Sequence, residues 1–123
     1  MARVLLAEDD ETVRGLLARA LGEDGHDIIA TADGAQALEK LTAHDTDYDL
    51  LLTDIKMPVM DGLTLAMAAA CERPGLVIIL MTGYAEQREA AHDLDALVHD
   101  VVKKPFTVDQ ICLAVREALA PRH

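Results

Sequence analysis

The sequence predicts an α/β domain, a parallel sheet of five strands wound on both faces by five helices. Three observations lead there. Short, continuous apolar runs recur at residues 4–7, 50–53 and 76–81, and such runs suit strands that are buried on both faces. Between the runs, apolar residues fall at helical spacing. Strands that alternate with helices imply parallel pairing, because parallel strands need long, right-handed crossovers. A chain of 123 residues is enough for one such domain with one core.

The first strand, 4–7, ends in Glu8-Asp9-Asp10-Glu11. Val13, Leu16, Leu17, Ala20 and Leu21 then mark one face of a helix that stops near Gly25. Acids at a helix start favour its positive dipole end, which by itself accounts for Asp10 and Glu11. A weaker strand centres on Ile28-Ile29-Ala30, and Asp33-Gly34 reads as a turn. Ala35, Ala37, Leu38 and Leu41 give a second helix, and 45–49 a polar loop. The third strand delivers Asp54 into Ile55-Lys56-Met57-Pro58, a break that sets a carboxylate at the mouth of the sheet. After the loop Val59-Met60-Asp61-Gly62, an Ala-rich third helix carries Leu63, Leu65, Ala66, Met67, Ala69 and Ala70 until Arg73-Pro74-Gly75 breaks it. The fourth strand, 76–81, ends in Thr82-Gly83, and 86–94 reads as a helix of low apolar content. Val101-Val102 is a brief fifth strand ahead of Lys103-Lys104-Pro105. Thr107 with Gln110 forms a capping box, and Val108, Ile111, Cys112, Val115 and Leu119 share a face of the last helix.

Composition excludes several functions. The formal net charge of −11 repels phosphate backbones and anionic lipid, and aromatics at 2% leave no platform for stacking bases. No apolar stretch is long enough to span a bilayer. Cys71 and Cys112 match no zinc spacing and read as small buried core residues, in keeping with a cytoplasmic protein.

The strand ends carry the chemistry. Glu8 and Asp9 follow strand one, Asp54 ends strand three, Thr82 strand four and Lys104 strand five. In a doubly wound sheet these ends share one rim. Three carboxylates there repel one another unless a cation joins them, and Mg2+ with its oxygen preference fits. A carboxylate beside such a cation can attack phosphorus to form an aspartyl phosphate, while a hydroxyl and an ammonium share the phosphoryl charge. Each residue also has an ordinary reading, as helix start, turn residue or solvated lysine. Their joint placement outweighs those readings.

These motifs, Val4-Leu5-Leu6-Ala7-Glu8-Asp9-Asp10, Leu51-Leu52-Thr53-Asp54-Ile55-Lys56-Met57-Pro58, Met60-Asp61-Gly62, Met81-Thr82-Gly83-Tyr84-Ala85 and Lys104-Pro105-Phe106, resemble the receiver domain of two-component response regulators over essentially the whole chain. The resemblance implies the CheY-like, flavodoxin-like strand order 2-1-3-4-5. It implies Asp54 as phosphoacceptor, and Mg2+ held by Asp9, Asp54, Glu8 directly or through water, and the backbone carbonyl of Lys56. It gives Thr82 and Lys104 to the phosphoryl oxygens, makes Lys104-Pro105 a cis bond, and implies a self-catalysed phosphoacceptor rather than a turnover enzyme. Its partner would be a histidine kinase or histidine phosphotransferase.

One departure concerns the switch. Receivers commonly carry Tyr or Phe three residues before the strand-five lysine, and here that residue is Val101. Tyr84, two residues after Thr82, is the candidate to take part of that role. Residues 1–123 read as a single receiver with no output domain, so output is expected from a surface built by 86–94, strand five and the last helix. The opening segment and Leu17-Ala18-Arg19-Ala20-Leu21 are most similar to CpdR-type single-domain regulators, phosphorylation-controlled adaptors of the ClpXP protease. A phosphorelay shuttle or phosphate sink without its own effector is the alternative. A flavodoxin-like cofactor binder is disfavoured by acids where a phosphate loop would sit. An aspartyl-phosphate phosphatase is disfavoured by Lys56, where many such enzymes carry a second Asp.

Overall fold

The computed structural model describes residues 2–83, 91, 92, 94 and 96–120. The elements run β1 (Arg3–Ala7), α1 (Glu11–Glu23), β2 (Asp27–Thr31), α2 (Gly34–Ala43), β3 (Leu50–Asp54), α3 (Gly62–Glu72), β4 (Val77–Thr82), β5 (Asp100–Lys103) and α4 (Val108–Leu119). The strands form one parallel sheet in the order β2-β1-β3-β4-β5, as expected. Four helices lie among the described residues. Most of the segment expected to form a helix over 86–94 lies outside them, with only Ala91 and His92 described as helical there.

Strand alternation splits the core in two. Val4, Leu6, Leu50, Leu52, Ile79 and Met81 face α1 and α4, where Leu17, Leu21, Ile111 and Val115 are buried. Leu5, Ala7, Leu51, Ile78 and Leu80 face α2 and α3, meeting Ala37, Leu41, Leu65, Ala66 and Ala69. A strand buried on both faces has no polar alternation, which is why β1, β3 and β4 read as unbroken apolar runs.

The helices start where the sequence supplies side-chain acceptors. Asp10 caps α1 by accepting from the Thr12 and Val13 N–H groups, and Asp61 caps α3 through the Thr64 N–H. Thr107 and Gln110 complete the expected capping box of α4. Asp33-Gly34 proves to be a helix start rather than a free turn. Asp33 accepts from the Gln36 N–H, and Gly34 is the first residue of α2. The cysteines also depart from expectation: Cys71 is exposed and Cys112 only half-buried. Helix α3 is apolar nearly all round, so its spacing could not tell the core side from the solvent side.

Two glycines seat the loop after β3. A Cβ on Gly62 would collide with the Asp54 carbonyl oxygen and lie 2.9 Å from the Ile55 Cα, and one on Gly34 would collide with the Met60 carbonyl. Between them Val59, 84% exposed, adopts φ +70°, a left-handed conformation that a β-branched residue adopts only under strain.

Candidate functional site

Parallel register brings the strand ends together. Ala7 pairs with Thr53, Asp54 with Met81 and Thr82 with Lys103. The ladders run one step further, through Glu8 N–H to Thr31 O at 3.1 Å, Ile55 N–H to Met81 O at 3.1 Å and Lys104 N–H to Thr82 O at 2.7 Å. Glu8, Asp54, Thr82 and Lys104 are thereby fixed by main-chain bonds before any of their side chains interact.

Glu8, Asp9 and Asp54 each offer a carboxylate oxygen, and these oxygens lie within 4.8 Å of one another. It is the one such acid cluster among the described residues. Glu8 is 1% exposed and Asp54 6%, whereas Asp9 is open to solvent. The Lys104 ammonium donates to Asp54 Oδ2 at 2.9 Å and lies 3.6 Å from Glu8 Oε2. At that second distance it attracts without hydrogen-bonding, and Glu8 Oε2 is buried with no hydrogen-bond partner. Glu8 Oε1 accepts the Asp10 N–H at 3.1 Å.

The electrostatics follow. Burial first, and the Asp54 charge second, push Glu8 up to about 7, against the pull of the Asp10 N–H and of Lys104. Burial alone would lower Lys104, but its hydrogen bond to Asp54 and the charges of Asp54 and Glu8 outweigh burial and raise it. A buried carboxylate oxygen without a hydrogen-bond partner, beside two more carboxylates, is a site that a hard cation would complete. All the donors are oxygens, as Mg2+ prefers.

The other expected residues are placed as follows. Thr82 is fully buried at the end of β4. Lys56 is exposed just past β3 and lines, with Asp54, Gly83 and Lys104, one end of a cavity of about 880 Å³. Val13, Leu16 and Phe106 form its apolar part. Val101 is half-buried in β5 opposite Leu80. Tyr84 lies outside the described residues. The Lys104-Pro105 bond is cis, as expected. Asp10 caps α1, its side chain accepting from the Thr12 and Val13 N–H groups.

Arg14 was missed in the sequence. Its Nη1 donates to the Glu8 carbonyl at 3.0 Å and makes a longer contact of 3.5 Å to the Asp9 carbonyl. The available signal was a basic residue four positions past the cap of a helix that follows an acid pair.

Residues 4–116 match the family described as the response regulator receiver domain. The chain belongs to that family. It is 45% identical to the response regulator receiver protein CpdR of Brucella abortus over 85 residues, 69% of each chain. It is 34% identical over 118 residues to the sensor kinase CckA of the same species, covering 96% of this receiver but 12% of that kinase. The response regulator protein TrrA of Thermotoga maritima, solved in complex with Mg2+-BeF, superposes with a TM-score of 0.84 at 32% identity, covering 97% of this chain and all of that one. Among the described residues no helix of this receiver is long and apolar enough to cross a membrane.

Proposed function

We propose that this receiver takes a phosphoryl group onto Asp54 from a phosphohistidine of a histidine kinase or histidine phosphotransferase. The observation that carries the reading is the meeting of Glu8, Asp9 and Asp54 with the Lys104 ammonium at one end of the sheet. The TrrA complex with Mg2+-BeF supports it, as does the occurrence of a similar segment within a sensor kinase.

In the transfer, an Asp54 carboxylate oxygen attacks phosphorus in line with the donor nitrogen. The O–P bond forms as the N–P bond breaks, and the departing imidazole nitrogen keeps the electron pair and takes up a proton. Glu8, Asp9, Asp54 and the Lys56 carbonyl would hold Mg2+, which when bound neutralises the acid cluster and the phosphoryl oxygens. Lys104 is already bonded to the attacking carboxylate and stays beside it to pair with a phosphoryl oxygen. The Thr82 hydroxyl donates to another. Gly62 holds the Asp54 main chain against the start of α3, so the nucleophile does not drift.

Beyond the transfer, the receiver signals by protein contact, as a phosphorylation-controlled adaptor of the cytoplasmic ClpXP protease. The similarity to CpdR supports this finer reading. With residues 1–123 acting as one receiver unit, Val101 in place of the usual aromatic leaves the coupling to the output surface to other residues, Tyr84 among them.

Intact mass after incubation with a small-molecule phosphodonor tests the chemistry. Wild type with Mg2+ gains about 80 Da, and neither the metal-free protein nor Asp54→Asn gains it. A gain in Asp54→Asn, or none in Mg2+-loaded wild type, sinks the assignment. Capture of ClpX by wild type in one phosphorylation state only supports the adaptor role. Capture of the kinase or phosphotransferase alone points to a shuttle.

A further inference from the structure

Lys104 and Arg14 both stand beside the acid cluster, and they bind different atoms. Lys104 takes carboxylate oxygens, of Asp54 at 2.9 Å and of Glu8 at 3.6 Å. A metal ion arriving at those oxygens must compete with it. Arg14 takes main-chain carbonyls instead, of Glu8 at 3.0 Å and, more weakly, of Asp9 at 3.5 Å. Its grip leaves every carboxylate oxygen available.

The helix explains how it reaches. Arg14 lies one turn into α1, and its N–H donates to the carbonyl of the cap residue Asp10 at 2.8 Å. Helical side chains lean toward the N-terminus, so a long side chain at this position points back over the residues before the cap. Those residues are Glu8 and Asp9. Their segment is otherwise held by the Glu8 N–H on Thr31 O and by the Asp10 N–H on Glu8 Oε1. The carbonyl side of the Glu8-Asp9 stretch has Arg14 as its anchor, with the one Nη1 facing both carbonyls, closely at Glu8 and more loosely at Asp9.

We propose that Arg14 is a positioning residue for the divalent cation, holding the Glu8-Asp9 main chain so that both carboxylates point into one site. The inference rests on the receiver reading above. Charge alone predicts the opposite sign. A guanidinium near the site repels Mg2+, so removing it would tighten metal binding if charge were its only effect. If it positions the ligands, removing it weakens binding.

The test is calorimetric titration of the whole chain with Mg2+ alone, for wild type, Arg14→Met and Arg14→Lys, beside thermal melts of each without metal. Arg14→Met keeps the stem and loses the donors, and its Mg2+ Kd should rise by about tenfold or more, the usual effect of losing a residue that orients metal ligands. Arg14→Lys keeps the charge but its shorter side chain sets the donor back from the Nη1 position, so it should fall between. Phosphoryl uptake by either variant should recover when Mg2+ saturates the site. If wild type binds Mg2+ and Arg14→Met binds it equally or more tightly, the inference is wrong and the receiver reading stands, with any drop in the metal-free melt marking Arg14 as a fold residue only. Should Arg14→Met not fold, an Arg14→Lys affinity equal to wild type overturns it. If wild type itself does not bind Mg2+, the receiver reading fails first and the inference goes with it.

Discussion

Glu8→Gln should make the metal-free protein more stable at high pH. Glu8 is 1% exposed, and burial with the Asp54 charge raises it from 4.5 to about 7. The folded state therefore holds a proton that the unfolded chain has already released, and stability falls as pH climbs from the lower value to the upper. The difference of the two values, at about 1.4 kcal/mol per unit, gives a cost of about 3 kcal/mol once both states are ionised. A glutamine amide keeps an oxygen for the Asp10 N–H and carries no charge to bury. The protein has no tryptophan, so urea unfolding is best followed by far-UV circular dichroism, with a chelator present. Near about pH 8 the variant should exceed wild type by a few kcal/mol, and near about pH 5 the two should converge. Excess Mg2+ should reverse the order, because a cation held by Glu8, Asp9 and Asp54 would bind only the folded state and would gain more from the wild-type carboxylate than from glutamine. A variant less stable than wild type at high pH without metal, or a difference that ignores pH, would refute the account of Glu8 as a buried carboxylate that burial and Asp54 keep from ionising.

Three further outcomes follow from contacts described above. Lys104→Met should lower metal-free stability near neutral pH by about 3 kcal/mol, since it leaves Asp54 and Glu8 without their counter-charge. The same variant should bind Mg2+ more tightly, as the competitor for those oxygens is gone; equal affinity in calorimetry would contradict that competition. Gly62→Ala should cost about 2 kcal/mol or more, because its Cβ strikes the Asp54 main chain, whereas Gly15→Ala, with open space around it inside α1, should gain about 0.5–1 kcal/mol. The opposite signs of one substitution are the check, read from urea midpoints. Val59→Gly should stabilise by about 1 kcal/mol by relieving the left-handed strain, and an unchanged midpoint would show that the loop already absorbs it.

Much of the site was legible because it lies in strand ends. An apolar run that stops at a polar residue marks where a chain leaves the sheet, and parallel pairing forces those exits onto one rim. Glu8, Asp9, Asp54, Thr82 and Lys104 could be named on that basis, and the capping box of α4 from its spacing, since Thr107 and Gln110 lie three residues apart. Asp10 was read only as an acid favouring the dipole of α1, where it is the cap. The Asp33-Gly34 start of α2 was legible in type but not in role, since Asp followed by Gly serves turns and helix caps alike.

By itself the sequence determined the alternation of strands and helices, the family and the order in which acid, hydroxyl and ammonium reach the rim, because these depend on local spacing and on residues a few positions apart. Only the tertiary structure decided that Lys104 reaches both Asp54 and Glu8, that Glu8 Oε2 is buried without a hydrogen bond, that Arg14 holds carbonyls rather than carboxylates, and that Cys71 faces solvent. Those facts depend on sheet register and on which way a side chain turns in the finished packing. Segments as uniform as the Ala-rich α3 carry no record of that in their spacing.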